Sequence, residues 1–359
     1  MRIDQWVPAA HTGDAIGDSA RRVRAALRDR GIASDLYALT IDEELRGDVL
    51  PFGDAAPLVD ATIFHFALPS PMTRPFAELG GMRILQYHNI TPSHFFAPYD
   101  RALARLAALG RAELASLAGH VDLALGDSDF NRQELEALGF DRTGVMPIAV
   151  DLRRITDAPR RVALEEALDD ELTNVLFVGR VAPNKRLEDH VRLAEHYKRY
   201  VDAECRFIFV GRYDLVPRYH AMVRALIVRY RMLPDRFVFT GPVPDDDLAT
   251  YYRMADAYVS LSEHEGFCVP LVEAMAADVP VLAYASTAIP ETLGGAGMQF
   301  APKDLEYAAE LLGMLVYDDA VRARVLEGQR RRVGAFGPER IEREVDILLN
   351  RIADGPRAH

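Results

Sequence analysis

The chain is short of the residue types on which several classes of protein depend. Only two cysteines, Cys205 and Cys268, stand in 359 residues, both in or beside apolar segments, so buried structural thiols are expected rather than a disulfide framework or a cysteine-rich metal site. Basic residues are outnumbered: 42 Lys+Arg against 54 Asp+Glu leave a formal net charge of -12, which argues against a nucleic-acid or anionic-membrane footprint spread over the whole surface. Local basic patches stay possible. No apolar run approaches the roughly 20 residues a membrane helix needs, and Met1-Arg2-Ile3-Asp4-Gln5-Trp6 is too short and polar for a signal peptide. Repeats and low-complexity segments are missing too. A soluble, cytoplasmic protein is expected, with peripheral contact at the inner face of a membrane left open.

What is present is an alternation of short apolar runs with amphipathic stretches. Strands are expected at 2–7, 35–39, 61–66, 83–87 and 122–125, and again at 174–180, 206–211, 237–243, 257–261 and 279–284, with helical patterns between most of them. Such alternation implies parallel sheets covered on both faces. The apolar Val145-Met146-Pro147-Ile148 gives way to a charged stretch, a boundary that divides the chain into domains at 1–152 and 153–337, with a last helical segment at 338–359.

Chemistry-bearing residues gather where strands end. After the run 257–261 comes Glu265-Gly266-Phe267-Cys268-Val269-Pro270-Leu271-Val272-Glu273. Pro270 suits the first position of a helix, where a missing N–H costs nothing, so Glu265 lies in a strand-to-helix loop and Glu273 one turn inside the helix, beside free N–H groups. After the run 174–179 comes Gly179-Arg180-Val181-Ala182-Pro183-Asn184-Lys185-Arg186. Here a guanidinium fork and an ammonium beside a helix N-terminus can offset negative charge growing on a phosphate. Arg186 is expected to look outward. The first strand runs into Gly13-Asp14-Ala15-Ile16-Gly17, a glycine turn without dinucleotide-fingerprint spacing. The fourth expected strand ends at Gln86-Tyr87-His88-Asn89, where open α/β sheets bind ligands. Ser128 or Asp129 suits a helix N-cap. Asp245-Asp246-Asp247 contains the D-x-D pattern of metal sites but opens a helix, so it is expected to cap N–H groups and is assigned no metal.

Together, the two glutamates seven residues apart with their Gly-Phe and Pro-Leu neighbours, and the Arg180/Lys185 pair, resemble the signature of the retaining glycosyltransferases of family four. That resemblance implies an α/β GT-B fold, two Rossmann-like domains facing each other across a cleft and closing on ligand, the final helix returning to the first domain. It further implies Arg180 and Lys185 at the donor diphosphate, Glu265 with Gly266, Phe267, Cys268 and Val269 at the sugar, Glu273 at the ribose, and Gly211, Arg212 and Val243 near the nucleobase. Gly13 and Gly17 would lie under the phosphates, with Gly179 at the strand end, and His88 would reach the sugar from the first domain. Asp14 and Asn89 are acceptor-side candidates. The implied partners are a nucleotide diphosphate sugar and a glycan or glycolipid acceptor; no cofactor, metal or nucleic acid is expected. The helix expected at 100–117, with Arg101, Arg105 and Arg111, reads as a solvated face or as a contact for an anionic acceptor or membrane. Two other functions fit the same residues: a GT-B epimerase or phosphorylase, and a non-catalytic nucleotide-sugar binder.

Overall fold

The computed structural model describes residues 1–56 and 58–355. Thirteen strands are described: β1 (Ile3–Ala10), β2 (Leu36–Ile41), β3 (Leu50–Pro51), β4 (Ala61–Phe66), β5 (Met82–Tyr87), β6 (Leu123–Gly126), β7 (Thr143–Val145), β8 (Thr173–Val178), β9 (Cys205–Val210), β10 (Phe237–Gly241), β11 (Ala257–Ser260), β12 (Val281–Tyr284) and β13 (Met298–Phe300). They form two parallel sheets with orders β3-β2-β1-β4-β5-β6-β7 and β10-β9-β8-β11-β12-β13. In each, the order reverses beside the first strand, between β1 and β4 and between β8 and β11. Reversals of this kind open a crevice at the strands' carboxyl ends, where such sheets take ligands.

The strands read as continuous apolar runs because both faces are covered: every residue of β4 and of β9 is buried. In the second sheet Phe177, Phe207, Phe209, Phe237 and Phe239 pack ring on ring between adjacent strands. Phe177, Phe207, Phe209 and Phe237 are buried, and burying each such ring stabilises the fold by roughly 1.5–3 kcal/mol. β3, β7 and β13 were not among the expected strands. Each is only two or three residues long, too short for a period to show, and β3 ends on Pro51 at the sheet edge, where a missing N–H is harmless.

Two compact units result. The first comprises residues 1–94, 102–150 and 336–359, and the second 95–101 and 151–335. The helix Pro338–Ala353 belongs to the first unit: Val345 and Leu348 are buried with Ile3, Val23, Leu27 and Met82, and Arg30 holds Asp346 at 2.7 Å. Residues 356–359 of the expected terminal segment lie outside the described residues. Residues 95–101, placed by the sequence in the first domain, group with the second unit, where the Phe95 ring lies 6.2 Å from His264 and Tyr99 meets Tyr219 edge-on at 5.1 Å. Among the described residues, no helix is long and apolar enough to cross a membrane.

Candidate active site

In the second unit, three strand ends are knitted together past the regular ladder. Gly179 N–H donates to Val210 O at 2.8 Å, Gly211 N–H to Gly241 O at 3.0 Å, and Val181 N–H to Arg212 O at 2.8 Å. Gly211 adopts φ +132°, and a Cβ there would sit 2.4 Å from Gly179 O, so no side chain fits between the two chains. Arg180 follows at the end of β8, exposed and with no hydrogen bond or ion pair among the described residues. Arg212 is also exposed, but its guanidinium is held by both oxygens of Asp214 at 3.1 Å. Val243 is half-buried just beyond β10.

Lys185 closes a tight turn over Pro183–Lys185, and its ammonium meets both oxygens of Glu265, at 2.5 and 2.6 Å. Residues 80 positions apart in the chain are thus brought into one ion pair, with side chains 18% and 8% exposed. The turn and the loop are sewn together by Asn184, whose side chain donates to His264 O at 3.0 Å and whose carbonyl accepts from Glu263 N–H at 2.9 Å. Thr287 Oγ1 accepts from Glu265 N–H at 2.9 Å. Beneath, the half-buried Lys303 ammonium donates to Leu261 O at 2.8 Å and to Asp189 and Glu263 at 2.7 and 3.0 Å, while lying over the Tyr284 ring. Lys303 and Thr287 escaped the sequence reading because nothing local marks them as partners of this loop.

The next helix is Val269–Ala276, one residue earlier than Pro270 implies, so Pro270 occupies its second position. Cys268 precedes it in the left-handed conformation, φ 72°, with a buried thiol whose pKa burial pushes well above the ordinary range. Phe267 is buried and its carbonyl accepts from Thr292 Oγ1, and Gly266 is half-buried. Glu273 is buried and both its oxygens already have protein partners: Arg154 closes on one, and the Tyr252 hydroxyl donates to the other at 2.9 Å. A ribose at Glu273 would therefore share an acceptor already in use. Arg154 also reaches Asp245 at 3.1 Å, and Arg161 pairs with Asp247 at 2.8 Å. The aspartate run accordingly sits in the first turn of the helix Asp245–Arg253 but caps nothing; Pro244 occupies the N-cap position. Arg186 does not look outward. It lies between Glu188, Asp189 and Glu263 at 2.9–3.2 Å, in the left-handed conformation.

In the first unit, Gly13 takes φ +76°, and Asp14 caps the helix Ala15–Asp29 by accepting from Gly17 N–H at 3.0 Å. The carboxylate proposed for an acceptor hydroxyl thus has a structural duty, while Gly17 would have room for a Cβ. Ser128 caps the helix Asp129–Ala137. His88 departs furthest from expectation. Its side chain is 1% exposed, with Nδ1 3.0 Å from Asp127 and Nε2 2.9 Å from His65, so neither ring nitrogen is free for a sugar. Asn89 follows at φ 72° and its side-chain amide donates to Asn131 at 2.8 Å and Glu134 at 3.2 Å. The N–H groups of this acceptor-side candidate are thus engaged within the protein. His65 was not anticipated, being embedded in the apolar run of β4.

The family model described as glycosyl transferases group 1 matches residues 164–332. The chain is 30% identical over 266 residues to a D-inositol 3-phosphate glycosyltransferase of Geodermatophilus obscurus, covering 70% of this chain and 56% of that protein. It is 29% identical over 229 residues to a GDP-mannose-dependent alpha-mannosyltransferase of Mycobacterium tuberculosis, covering 62% and 55%. The chain thus spans about half the length of these two curated relatives, and 18% of that of a serotype-specific mannosyltransferase of Escherichia coli. Among solved structures, Anabaena Alr3699/HepE in complex with UDP-glucose superposes with a TM-score of 0.73 at 17% identity, covering 98% of this chain and 99% of that one, a likeness of fold. The chain is therefore built on the GT-B fold, and its residues 164–332 match the family model of the glycosyl transferases of group 1.

Proposed function

We propose that the chain transfers a hexose from a UDP- or GDP-sugar to a hydroxyl of a glycan or glycolipid, with retention at the anomeric carbon. One observation carries the reading: Arg180, an exposed guanidinium without a partner among the described residues, follows β8, and the Lys185–Glu265 pair joins the loops after β8 and β11, the strands between which the order reverses. The Lys185 ammonium has three N–H donors. Two face Glu265, which leaves one for a phosphate oxygen, while the carboxylate keeps lone pairs for sugar hydroxyls.

In this reading the bond between the anomeric carbon and the diphosphate breaks with its electron pair leaving on phosphate, where Arg180 and Lys185 offset the charge. The acceptor oxygen bonds to the same face, and its proton goes to the departing diphosphate. No protein base and no metal is assigned a part. The UDP-glucose bound by one structural neighbour and the GDP-mannose in the name of one relative motivate testing both bases. The test is to incubate the chain with either donor and a lipid-linked or soluble glycan acceptor and to read the new linkage by NMR. Inversion would refute retention. Product from donor alone, or only with free phosphate, would indicate an epimerase or a phosphorylase.

A further inference from the structure

Charges of the two signs are segregated on one surface of the second unit. From Pro217 to Pro234 the chain carries Arg218, Arg224, Arg229 and Arg231 and no acidic residue; from Asp304 to Val321 it carries Asp304, Glu306, Glu310, Asp318 and Asp319 and no Lys or Arg. All four arginines are exposed, and none makes an ion pair among the described residues; the same holds for Glu310 and Asp319. The first stretch forms the basic helix Pro217–Arg229 and the second the acidic helix Leu305–Tyr317 with its flanks. Both pack against the helix Leu187–Tyr200. They lie on opposite sides of it, because the basic helix connects β9 with β10 while the acidic one packs toward β11, and the sheet runs β10-β9-β8-β11. Right-handed connections put the basic and central helices on one face of that sheet, and the acidic helix completes the layer.

The layer is also where exposed apolar groups gather. Of sixteen exposed large apolar side chains among the described residues, seven belong to it. Val228, Tyr230 and Leu233 stand at the end of the basic helix and just beyond, and Tyr200 ends the central helix. The other three, Tyr307, Met314 and Tyr317, recur with Glu310 every three or four residues and form one stripe along the acidic helix. A gathering of this kind marks an interaction surface. Charge decides what fits it. A membrane or a polyanion would meet the acidic flank as well as the basic one, whereas a second copy, turned over about an axis along the central helix, offers the two flanks in the complementary order. Along that axis the central helix would face itself, and its Arg192 and Arg199 are already neutralised by Asp189 and Glu195, each at 2.6 Å.

The register can be worked out from the anchors to the central helix. Tyr219 accepts from the N–H of Leu187, its first residue, at 2.7 Å, and Gly313 fits against Val201, just past its last. All three helices run from the carboxyl toward the amino ends of the strands; in the acidic one the Tyr317 hydroxyl reaches Thr173, at the start of β8, at 3.2 Å. At 1.5 Å per residue, Arg229 lies about 15 Å along from the Leu187 end and Glu310 about 16 Å. We propose that this face joins two copies of the chain about a two-fold axis along the central helix, with Arg229 of each copy against the partner's Glu310. Val228 and Leu233 then face the partner's Met314 and Tyr317, and each contact occurs twice.

The test is sedimentation velocity of the full chain and of Arg229→Glu and Glu310→Arg, each alone and the two mixed in equal amounts. The unaltered chain should sediment with twice the mass of one chain, held more firmly at low salt than at high, because exposed charges are screened. Each reversal sets like charges opposite one another twice per dimer and should raise the dissociation constant roughly a hundredfold or more. The mixture should dimerise again, since one variant then supplies only acids at these two positions and the other only arginines. Met314→Asp, which alters neither charge, should also dissociate the dimer. An unaltered chain at the mass of one chain would overturn the proposal, and if it bound phosphatidylglycerol vesicles in that state the face would serve a membrane instead. A dimer untouched by all three variants, a mixture that stays monomeric while both variants melt with the parent, or a mass that climbs past two chains with concentration would each overturn it too. The reading on the unaltered chain needs no variant to fold.

Discussion

Replacing Lys185 by Met should cost the protein much of its stability as well as its activity. Glu265 is 8% exposed and, among the described residues, Lys185 is its one cationic partner within ion-pair distance, so the variant leaves a carboxylate buried without a counter-charge. Breaking one side of a buried pair typically costs about 3–5 kcal/mol. For a unit of this size each kcal/mol lowers the melting temperature by roughly 2–4 °C, so a fall on the order of 10 °C is expected by calorimetry. Because the chain has two units, the transition to follow is the one that shifts when nucleoside diphosphate is added. Removing the charge from the partner as well, in Lys185→Met with Glu265→Gln, should recover at least about 1 kcal/mol of the loss while leaving the enzyme inactive. If Lys185→Met melts with the unaltered protein, or if the two substitutions are simply additive, the pair is not the buried couple described here.

Arg154→Ala should strip one partner from buried Glu273, leaving only the Tyr252 hydroxyl; the expected fall in melting temperature should come with weaker nucleoside diphosphate binding in titration calorimetry. Gly211→Ala should be severely destabilising, since its Cβ meets Gly179 O, whereas Gly17→Ala, where the nearest atom is 3.6 Å away, should be neutral or slightly stabilising in parallel melts. His190 is buried between the Arg186 and Val259 carbonyls, and burial lowers its pKa to about 4. The unfolded chain therefore takes up this proton near pH 6.5 and the folded protein only near 4, so stability is lost as pH falls through that window. The difference in denaturation free energy between the unaltered protein and His190→Leu should follow that slope; a pH-independent difference would contradict the burial.

The parts legible in the sequence are those that chemistry confines to a few adjacent residues. Gly179-Arg180 with Lys185, and Glu265 with Glu273, could be read because each motif sits where one strand ends, and a strand end is recognisable locally. Their partners could not be read. Arg154 lies 119 residues from Glu273 and comes from a charged connection without periodicity, and Lys303 reaches Glu263 across 40 residues. The direction in which a ring points is equally invisible: His88 stands at a strand's end but turns inward, where His65, set opposite Gln86 by the β4–β5 register, and Asp127 meet its two ring nitrogens. Cys268 shows the same limit in the backbone, since no rule of residue preference puts a cysteine at φ 72° and so moves the helix start to Val269.

The central claim is that Arg180 is held free for a diphosphate. Its most direct test is a thermal-shift series with UDP and GDP on the unaltered protein and on Arg180→Ala. With no partner to lose among the described residues, the variant should melt like the parent in the absence of ligand. One diphosphate at about 100 times its dissociation constant should stabilise the parent by roughly 2.7 kcal/mol and the variant by far less. Equal shifts in both proteins, or none from either nucleotide, would contradict the account.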